Sequence, residues 1–147
     1  ARQLGITQPF VGGNGVNSPK ILELAKEASD NLWVGSPWSA SNDSPENTRF
    51  IEAYKKKFGT APDHFAAQTY YALHSVAAAL KKVELTGDLA KDRAALRDAL
   101  PDIAWTGATG PFKFRHALEK SGKPAGYDAE QQPIVSVTKD GACQIVK

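Results

Sequence analysis

A short apolar strand followed by a capped helix occurs twice near the start of this chain, and this pattern constrains the fold more than any other feature. The two apolar strands are residues 8–12 and 31–35. Each is followed by a Ser-Pro pair, at 18–19 and 44–45, in which serine suits the N-cap and proline the first helical position. Strands that alternate with helices predict an α/β fold with a parallel sheet and right-handed crossovers.

Apolar spacing and end signals predict four helices in this order along the chain. They cover about residues 19–28, 45–58, 65–82 and 89–100. Asp63 and Asp88 are the predicted N-caps of the last two, and Gly59 is the predicted end of the second. The third helix is rich in alanine, and its residues available for burial are Phe65, Tyr70, Leu73, Val76, Ala77 and Leu80.

The last third of the chain changes to strand patterns, with aromatic residues alternating with basic ones. The predicted order is a glycine-flanked turn at 107–110, a strand through 112–114, a polar loop over 117–132, and strands 134–137 and 143–146 joined by a turn at 140–141. These elements form a β-rich C-terminal appendix to the α/β start.

Composition and charge exclude several classes of protein. Of the 147 residues, 41% are hydrophobic and 23% are charged, and the net charge is +2, as in a soluble globular domain. No apolar run approaches the ~20 residues that a bilayer-spanning helix needs. The longest basic run, at 55–57, falls at the end of a predicted helix, where lysines interact favourably with the helix dipole. We therefore predict no nucleic-acid or membrane-surface partner.

Residues 1–5 have the pattern of the last turn of a helix closed by a glycine. They lack the apolar core of a signal peptide, and the chain contains no methionine. We therefore expect the signal peptide and other structural elements to lie upstream of Ala1 in a longer translated product.

The sequence carries no catalytic or metal-binding motif. His64, His74 and His116 lack the spacing of metal ligands, and no nucleophile elbow is present. Cys143 is the only cysteine, which excludes an intramolecular disulfide, and we expect it to be a small apolar strand residue. We predict no enzyme, no metal and no cofactor. An acidic and a basic side chain paired across one cleft would instead support the alternative of an α/β enzyme.

The glycine-rich loop at 12–15, between the first strand and the first helix, is the main candidate for a binding site. Glycines let backbone amides approach a ligand, and ligands of open α/β sheets lie beyond the carboxyl ends of the strands. The loop lacks the phosphate-binding and dinucleotide-binding patterns, so a binding loop and a plain tight turn both remain open. Phe65 begins a helix after a loop, where its ring can belong to the core or to a ligand wall.

Five segments, taken together and in order, resemble one protein family. In sequence letters they are RQLGI, PFVGGNG, FIEAYKKKFGTAPD, FAAQTYYA and TGATGPFKF. Each segment alone is weak evidence for the family, but the order and spacing of the five segments match over nearly the whole chain. The chain thereby resembles the type I periplasmic solute-binding proteins of ABC importers, of the branched-chain amino-acid-binding kind, and it resembles only their C-terminal half.

This resemblance implies part of a two-lobe fold, in which Rossmann-like lobes are joined by hinge crossings. By resemblance, about residues 1–60 are second-lobe elements, about 63–103 are helices that cross to the first lobe, and about 104–147 are hinge and terminal strands. A fragment with these bounds exposes strand edges and apolar helix faces. We therefore expect it to self-associate as a homodimer, with exchange of elements as one route.

The resemblance also implies a set of ligand-binding residues. In amino-acid-binding members the loop after this strand places an acidic residue on the ligand's ammonium, and the matching position here is Asn14. A neutral amide is a weaker ammonium partner than a carboxylate, which leaves room for aromatic acids, other carboxylates, amides or urea-like solutes. Gly13 and Gly15 would frame the approach of the ligand, and Phe65 matches a ring that lines the cleft.

The function that the resemblance implies is solute capture in the periplasm for an ABC importer. A small polar or aromatic organic solute, such as an amino acid or a carboxylate, would bind between the lobes and stabilise the closed hinge state. A membrane permease would then carry out transport. The alternative is a ligand-sensing regulator or receptor domain on the same fold.

Overall fold

The computed structural model describes residues 1–146, and Lys147, the last residue of the predicted terminal segment, lies outside the described residues. The helices are α1 (Pro19–Ala25), α2 (Pro45–Phe58), α3 (His64–Leu80) and α4 (Leu89–Ala99). The strands are β1 (Phe10–Gly12), β2 (Leu32–Ser36), β3 (Ala104–Gly107), β4 (Gly110–Leu118), β5 (Pro124–Glu130), β6 (Ile134–Lys139) and β7 (Ala142–Ile145). Short 3₁₀ turns are formed by Arg2–Leu4, Asn14–Val16, Lys26–Ser29 and Leu100–Asp102.

The strands form two sheets. The first has the order β1–β2–β6–β7, in which β1 and β2 are parallel and the other neighbours are antiparallel. The second is antiparallel, with the order β3–β4–β5. The predicted α/β class is confirmed, but the first sheet is mixed rather than wholly parallel. The reason is that the crossover through α1 joins β1 to β2, whereas β6 arrives from the C-terminal strands and runs in the opposite direction.

The structure confirms most of the helix ends that the sequence predicts. Ser18 Oγ and Ser44 Oγ accept hydrogen bonds from backbone amides in the first turns of α1 and α2. The aspartates that precede α3 and α4 cap those helices in the same way. Gly59 closes α2 with a φ of 72°, a left-handed conformation that favours glycine. α1 is shorter than predicted, because the chain tightens into the 3₁₀ turn Lys26–Ser29.

The prediction of a polar loop over 117–132 is wrong, because β4 extends into this range and β5 returns beside it. Charged side chains face each other across this hairpin. Arg115 pairs with Asp128 at 3.0 Å, and Lys113 pairs with Glu130 at 3.5 Å. Cross-strand pairs of opposite charge stabilise an antiparallel ladder by about 0.2–1 kcal/mol each. A polar sequence can therefore form strands that apolar periodicity does not reveal.

The main apolar core lies between α2, α3 and the β3–β4–β5 sheet. Its buried members are Trp38, Phe50, Ala67, Tyr71, Ala79, Ile103, Ala108 and Phe112. The Tyr71 hydroxyl donates to Gly110 O (2.8 Å) and accepts from Thr109 N (2.9 Å), at the turn between β3 and β4. Burial raises the pKa of the Tyr71 phenol. One side chain thus fixes α3 to this turn.

One face of α3 has no covering element within residues 1–146. Phe65, Leu73, Val76 and Leu80 recur at helical spacing and are 58%, 68%, 43% and 38% exposed. We call these residues the α3 stripe. A contiguous exposed apolar face of this kind indicates a contact surface. None of the helices among the described residues is long and apolar enough to span a membrane.

Gly107→Ala tests the close packing at the end of β3. A Cβ at Gly107 would collide with the Trp105 ring and approach the Tyr71 hydroxyl to 3.0 Å, so we expect the free energy of unfolding to fall by about 1–3 kcal/mol. Gly35→Ala is the matched control, because a Cβ on this β2 residue meets nothing within 4 Å. Urea denaturation measures both variants, and equal midpoints would contradict the packing described here.

Candidate functional site

The loop between β1 and α1 is a 3₁₀ turn, Asn14–Val16, that follows an extended Gly13. The turn folds Val16 back onto the end of β1, where a Cβ on Gly12 would collide with the Val16 side chain. A side chain at position 12 would therefore force the Val16 side chain to move. Gly13 and Gly15 are exposed, and a Cβ on either would meet nothing within 4 Å. The backbone at these two positions is consequently open to an approaching molecule.

Asn14 has an acceptor atom without a partner. Its Oδ1 is shielded from solvent, and no donor reaches it among the described residues. Leaving a buried acceptor unpaired costs about 1–3 kcal/mol. The loop lies beyond the carboxyl end of a strand, which is where α/β sheets bind ligands. A ligand pairs with this atom only when rotation of the Asn14 side chain turns the atom outward.

Asn17, just after this loop, connects it to the end of β2 and to α3. Its Nδ2 donates to Ser36 Oγ (2.7 Å) and to Trp38 O (2.8 Å). Its backbone carbonyl lies 2.7 Å from His64 Nδ1, at the start of α3. The loop is therefore held by two neighbouring elements at once.

Trp38 and Asn47 extend these polar contacts into the core. Trp38 Nε1 donates to Asn47 Oδ1 (2.7 Å), and Asn47 Nδ2 donates to Ser39 O (3.1 Å) and Asn42 O (2.7 Å). Trp38 and Asn47 are both buried, and a buried polar network is costly to break when one partner is removed. The loop after β2 is thereby held against the first turn of α2.

Phe65 lies in the first turn of α3 with its ring exposed to solvent. The ring packs on one side against the buried imidazole of His64, at a centroid separation of 3.8 Å. Its other side is free of the core formed by residues 1–146. The interpretation of Phe65 as a core ring is therefore wrong for the described chain, and its role as a ligand wall stays a prediction.

The predicted ligand-binding residues lie on two elements, since the loop carries all of them except Phe65. The hydrogen bond between Asn17 and His64 joins these two elements. Sequence reasoning missed both bonded residues. Whether a polar side chain is buried depends on partners far away in the chain, and the only local signal was that these residues directly follow a glycine loop and a helix cap.

A second concave surface, a groove of approximately 820 Å³, lies between α2, α3 and β3. Tyr54, Tyr70 and Trp105 form much of its wall. None of the predicted ligand-binding residues lines it. Leu73 belongs both to this groove and to the α3 stripe, so the groove is continuous with the uncovered face of α3.

No group of three or more His, Cys, Asp or Glu side chains that could hold a metal ion is present within residues 1–146. Outside the loop region, His74 stacks on Trp105 and His116 packs on Tyr127. Cys143 is a half-buried residue of β7, and its thiol donates to a serine hydroxyl of β6 at 3.2 Å. These contacts are structural ones within the fold.

Comparison with known proteins identifies the family. A model described as periplasmic binding protein matches residues 1–129, which is most of the chain. The chain belongs to the periplasmic binding protein family. No curated protein matches it.

Solved structures of amino-acid-binding and solute-binding proteins match along essentially the whole chain. The leucine-binding protein LivK from Thermotoga maritima has 25% identity and a TM-score of 0.75 over 100% of this chain. LivJ from Streptococcus pneumoniae, a branched-chain amino acid transporter substrate-binding protein solved with isoleucine, has 26% identity and a TM-score of 0.70 over 99%. An ABC-transporter solute-binding protein from R. palustris, solved with benzoate, has 26% identity and a TM-score of 0.69 over 98%.

The chain spans only 39%, 39% and 36% of the lengths of these three relatives. The resemblance to branched-chain amino-acid-binding proteins, and the assignment to part of the type I periplasmic-binding-protein fold, are confirmed. The relatives are solute-binding proteins of transport systems.

Asn47→Ala tests the buried polar network. The change leaves the indole N–H of Trp38 and two carbonyls unpaired, so we expect the free energy of unfolding to fall by about 1–3 kcal/mol. Thr48→Ala is the control, because it truncates the adjacent exposed residue of α2. Denaturation followed by tryptophan fluorescence compares the two, and a Thr48 variant as unstable as the Asn47 variant would contradict a specific role for the network.

Proposed function

We propose that this chain is part of a periplasmic solute-binding protein that serves an ABC importer and catalyses no reaction. Its family, and relatives that bind leucine, isoleucine and benzoate, support this role. The solute binds the closed arrangement of two lobes better than the open one and shifts the population toward it. A membrane permease receives the solute in the periplasm.

The proposed solute site is centred on Asn14. Its Oδ1 is an acceptor that lacks a donor within the described chain. The flanking Gly13 and Gly15 are exposed and carry no side chain, so they leave room for the Asn14 amide to turn its Oδ1 outward toward a solute. We propose that the solute donates to Asn14 while backbone amides at the two glycines frame its approach. Phe65 supplies an exposed ring for an apolar part of the solute.

The neutral amide of Asn14 determines the class of solute in this proposal. An amide both donates and accepts, whereas a carboxylate at the same place would only accept and would strongly favour an ammonium. The proposed solutes are therefore small polar or aromatic organic molecules that carry an N–H or O–H donor for Asn14 Oδ1, among them amides and carboxylates with a second, donating group. They do not depend on a charged partner for an ammonium group. Amino acids bind more weakly unless the rest of the site provides that charge.

The proposed lobe boundaries are about residues 1–60 for second-lobe elements, about 63–103 for helices that cross to the first lobe, and about 104–147 for hinge and terminal strands. Pairing of β6 with β2 supports the return of the terminal strands to the second lobe. The uncovered α3 stripe supports the crossing. Because this chain spans only 39% of the length of LivK, we propose that the surface on which the stripe packs belongs to the rest of such a two-lobe protein.

Variants at Asn14 test the site in a two-lobe protein that contains this chain. Calorimetric titration with leucine, isoleucine, benzoate and acetamide first identifies solutes that bind the wild type. Asn14→Ala removes the acceptor, so we expect the affinity for a bound solute with an N–H donor (leucine, isoleucine or acetamide) to fall about five- to hundredfold, the equivalent of one lost hydrogen bond. Asn14→Asp should favour leucine over benzoate, because its charge attracts an ammonium and repels a carboxylate.

Gln8→Ala is the control for these titrations, since it removes an exposed amide just before β1. It should leave the affinity unchanged. Unaltered binding by Asn14→Ala would contradict the proposed site. Binding of none of these solutes by the wild type would instead argue against transport of this class and favour a ligand-sensing role.

The α3 stripe also leads us to propose that the isolated chain self-associates as a homodimer. Leu73→Lys places a charge in the middle of this apolar face. We expect this variant to shift sedimentation of the chain toward the monomer. Thr48→Lys adds the same charge on the exposed side of α2 and should not change the assembly. A wild-type chain that sediments as a monomer would contradict self-association.

A further inference from the structure

We propose that His64 is a positioning residue that sets the first turn of α3, and Phe65 with it, relative to the Asn14 loop. This inference rests on the proposed function, because it concerns the geometry of the same solute site. It adds a residue that touches no solute and acts through its neighbours on both proposed walls of the site.

The position of His64 in the fold supports this role. Its imidazole is 1% exposed, and it lies in the first turn of α3, directly after the Asp63 cap. Nδ1 lies 2.7 Å from the carbonyl oxygen of Asn17, a residue separated from it by 47 positions. This contact therefore joins two elements that are distant in sequence, the loop after β1 and the start of α3.

The contact also requires a proton on Nδ1. A backbone carbonyl can only accept, so Nδ1 carries the proton and donates it to Asn17 O. The other nitrogen, Nε2, is buried and has no partner among the described residues. Nδ1 is therefore the only atom through which the ring makes a hydrogen bond within the described chain.

Two short connections link the hydrogen bond between His64 and Asn17 to the proposed solute contacts. Asn17 follows Asn14 by three positions, and its side chain is fixed by Ser36 and Trp38. On the other side, the His64 ring packs on the ring of Phe65 at a centroid separation of 3.8 Å. A change at His64 therefore reaches both walls.

The choice of substitution separates positioning from simple packing. In His64→Asn the side-chain amide N–H takes the place of Nδ1–H, so the bond to Asn17 O is retained. In His64→Gln the amide reaches the place of Nε2 instead, and in His64→Leu no donor remains. All three variants alter the volume of a buried side chain, but only the first preserves the bond.

The first measurement is independent of any solute. In ¹H–¹⁵N spectra of the chain, we expect His64→Leu and His64→Gln to shift the amide resonances of residues 13–15 and 65, and His64→Asn to leave residues 13–15 near their wild-type positions. The ring ¹⁵N signals of the wild type should show the Nδ1–H tautomer. Shifts confined to α3 in all variants, or an Nε2–H tautomer, would overturn the proposal.

The second measurement is calorimetric titration of the two-lobe protein with leucine, isoleucine and benzoate, at a temperature where every variant is folded. We expect His64→Leu and His64→Gln to bind about tenfold more weakly, and His64→Asn to bind within about twofold of the wild type. Equal affinity for the wild type and His64→Leu would overturn the positioning role. If the wild type binds none of these probes, the proposed function fails for them, while the spectra still decide whether His64 positions the loop.

Discussion

Asn17 makes the contacts on which the arrangement of the candidate site depends. Its side chain holds the end of β2, and its backbone carbonyl accepts from the imidazole at the start of α3. Trp38, which accepts from Asn17 through its carbonyl, continues the network to α2 through its indole N–H. The β1–β2 sheet and the helical core are thereby connected by buried polar bonds rather than by apolar packing alone. Such bonds specify one relative orientation, because any other leaves buried donors and acceptors unpaired.

The local signals in the sequence were sufficient for most of the fold. Ser18, Ser44, Asp63 and Asp88 were recognisable as N-caps because capping depends on bonds within one turn. The pairing of β4 with β5 was missed for the opposite reason: the antiparallel ladder joins residues far apart in sequence, and the charged side chains that face each other across it do not produce apolar alternation. Local signals also could not predict the direction of β6, because that direction depends on which strand β6 pairs with.

Some residues of the candidate site could likewise be predicted from local signals, and others could not. The glycine loop with Asn14 was visible in the sequence, because glycines between a strand and a helix mark a place where backbone is open. Family resemblance then supplied the prediction that Asn14 faces the ligand. Asn17 and His64 could not be found, because their importance comes from a contact across 47 positions. The α3 stripe was marked for burial by its spacing, but its covering surface is not within residues 1–146.

A crystal structure of the two-lobe protein with a bound solute tests most directly whether the loop that holds Asn14 faces the solute. We predict that a solute donor lies within hydrogen-bonding distance of Asn14 Oδ1, beside the backbone of Gly13 and Gly15, with the Phe65 ring against its apolar part. A solute bound away from this loop, such as in the groove between α2, α3 and β3, with Asn14 still unpaired, would contradict the account.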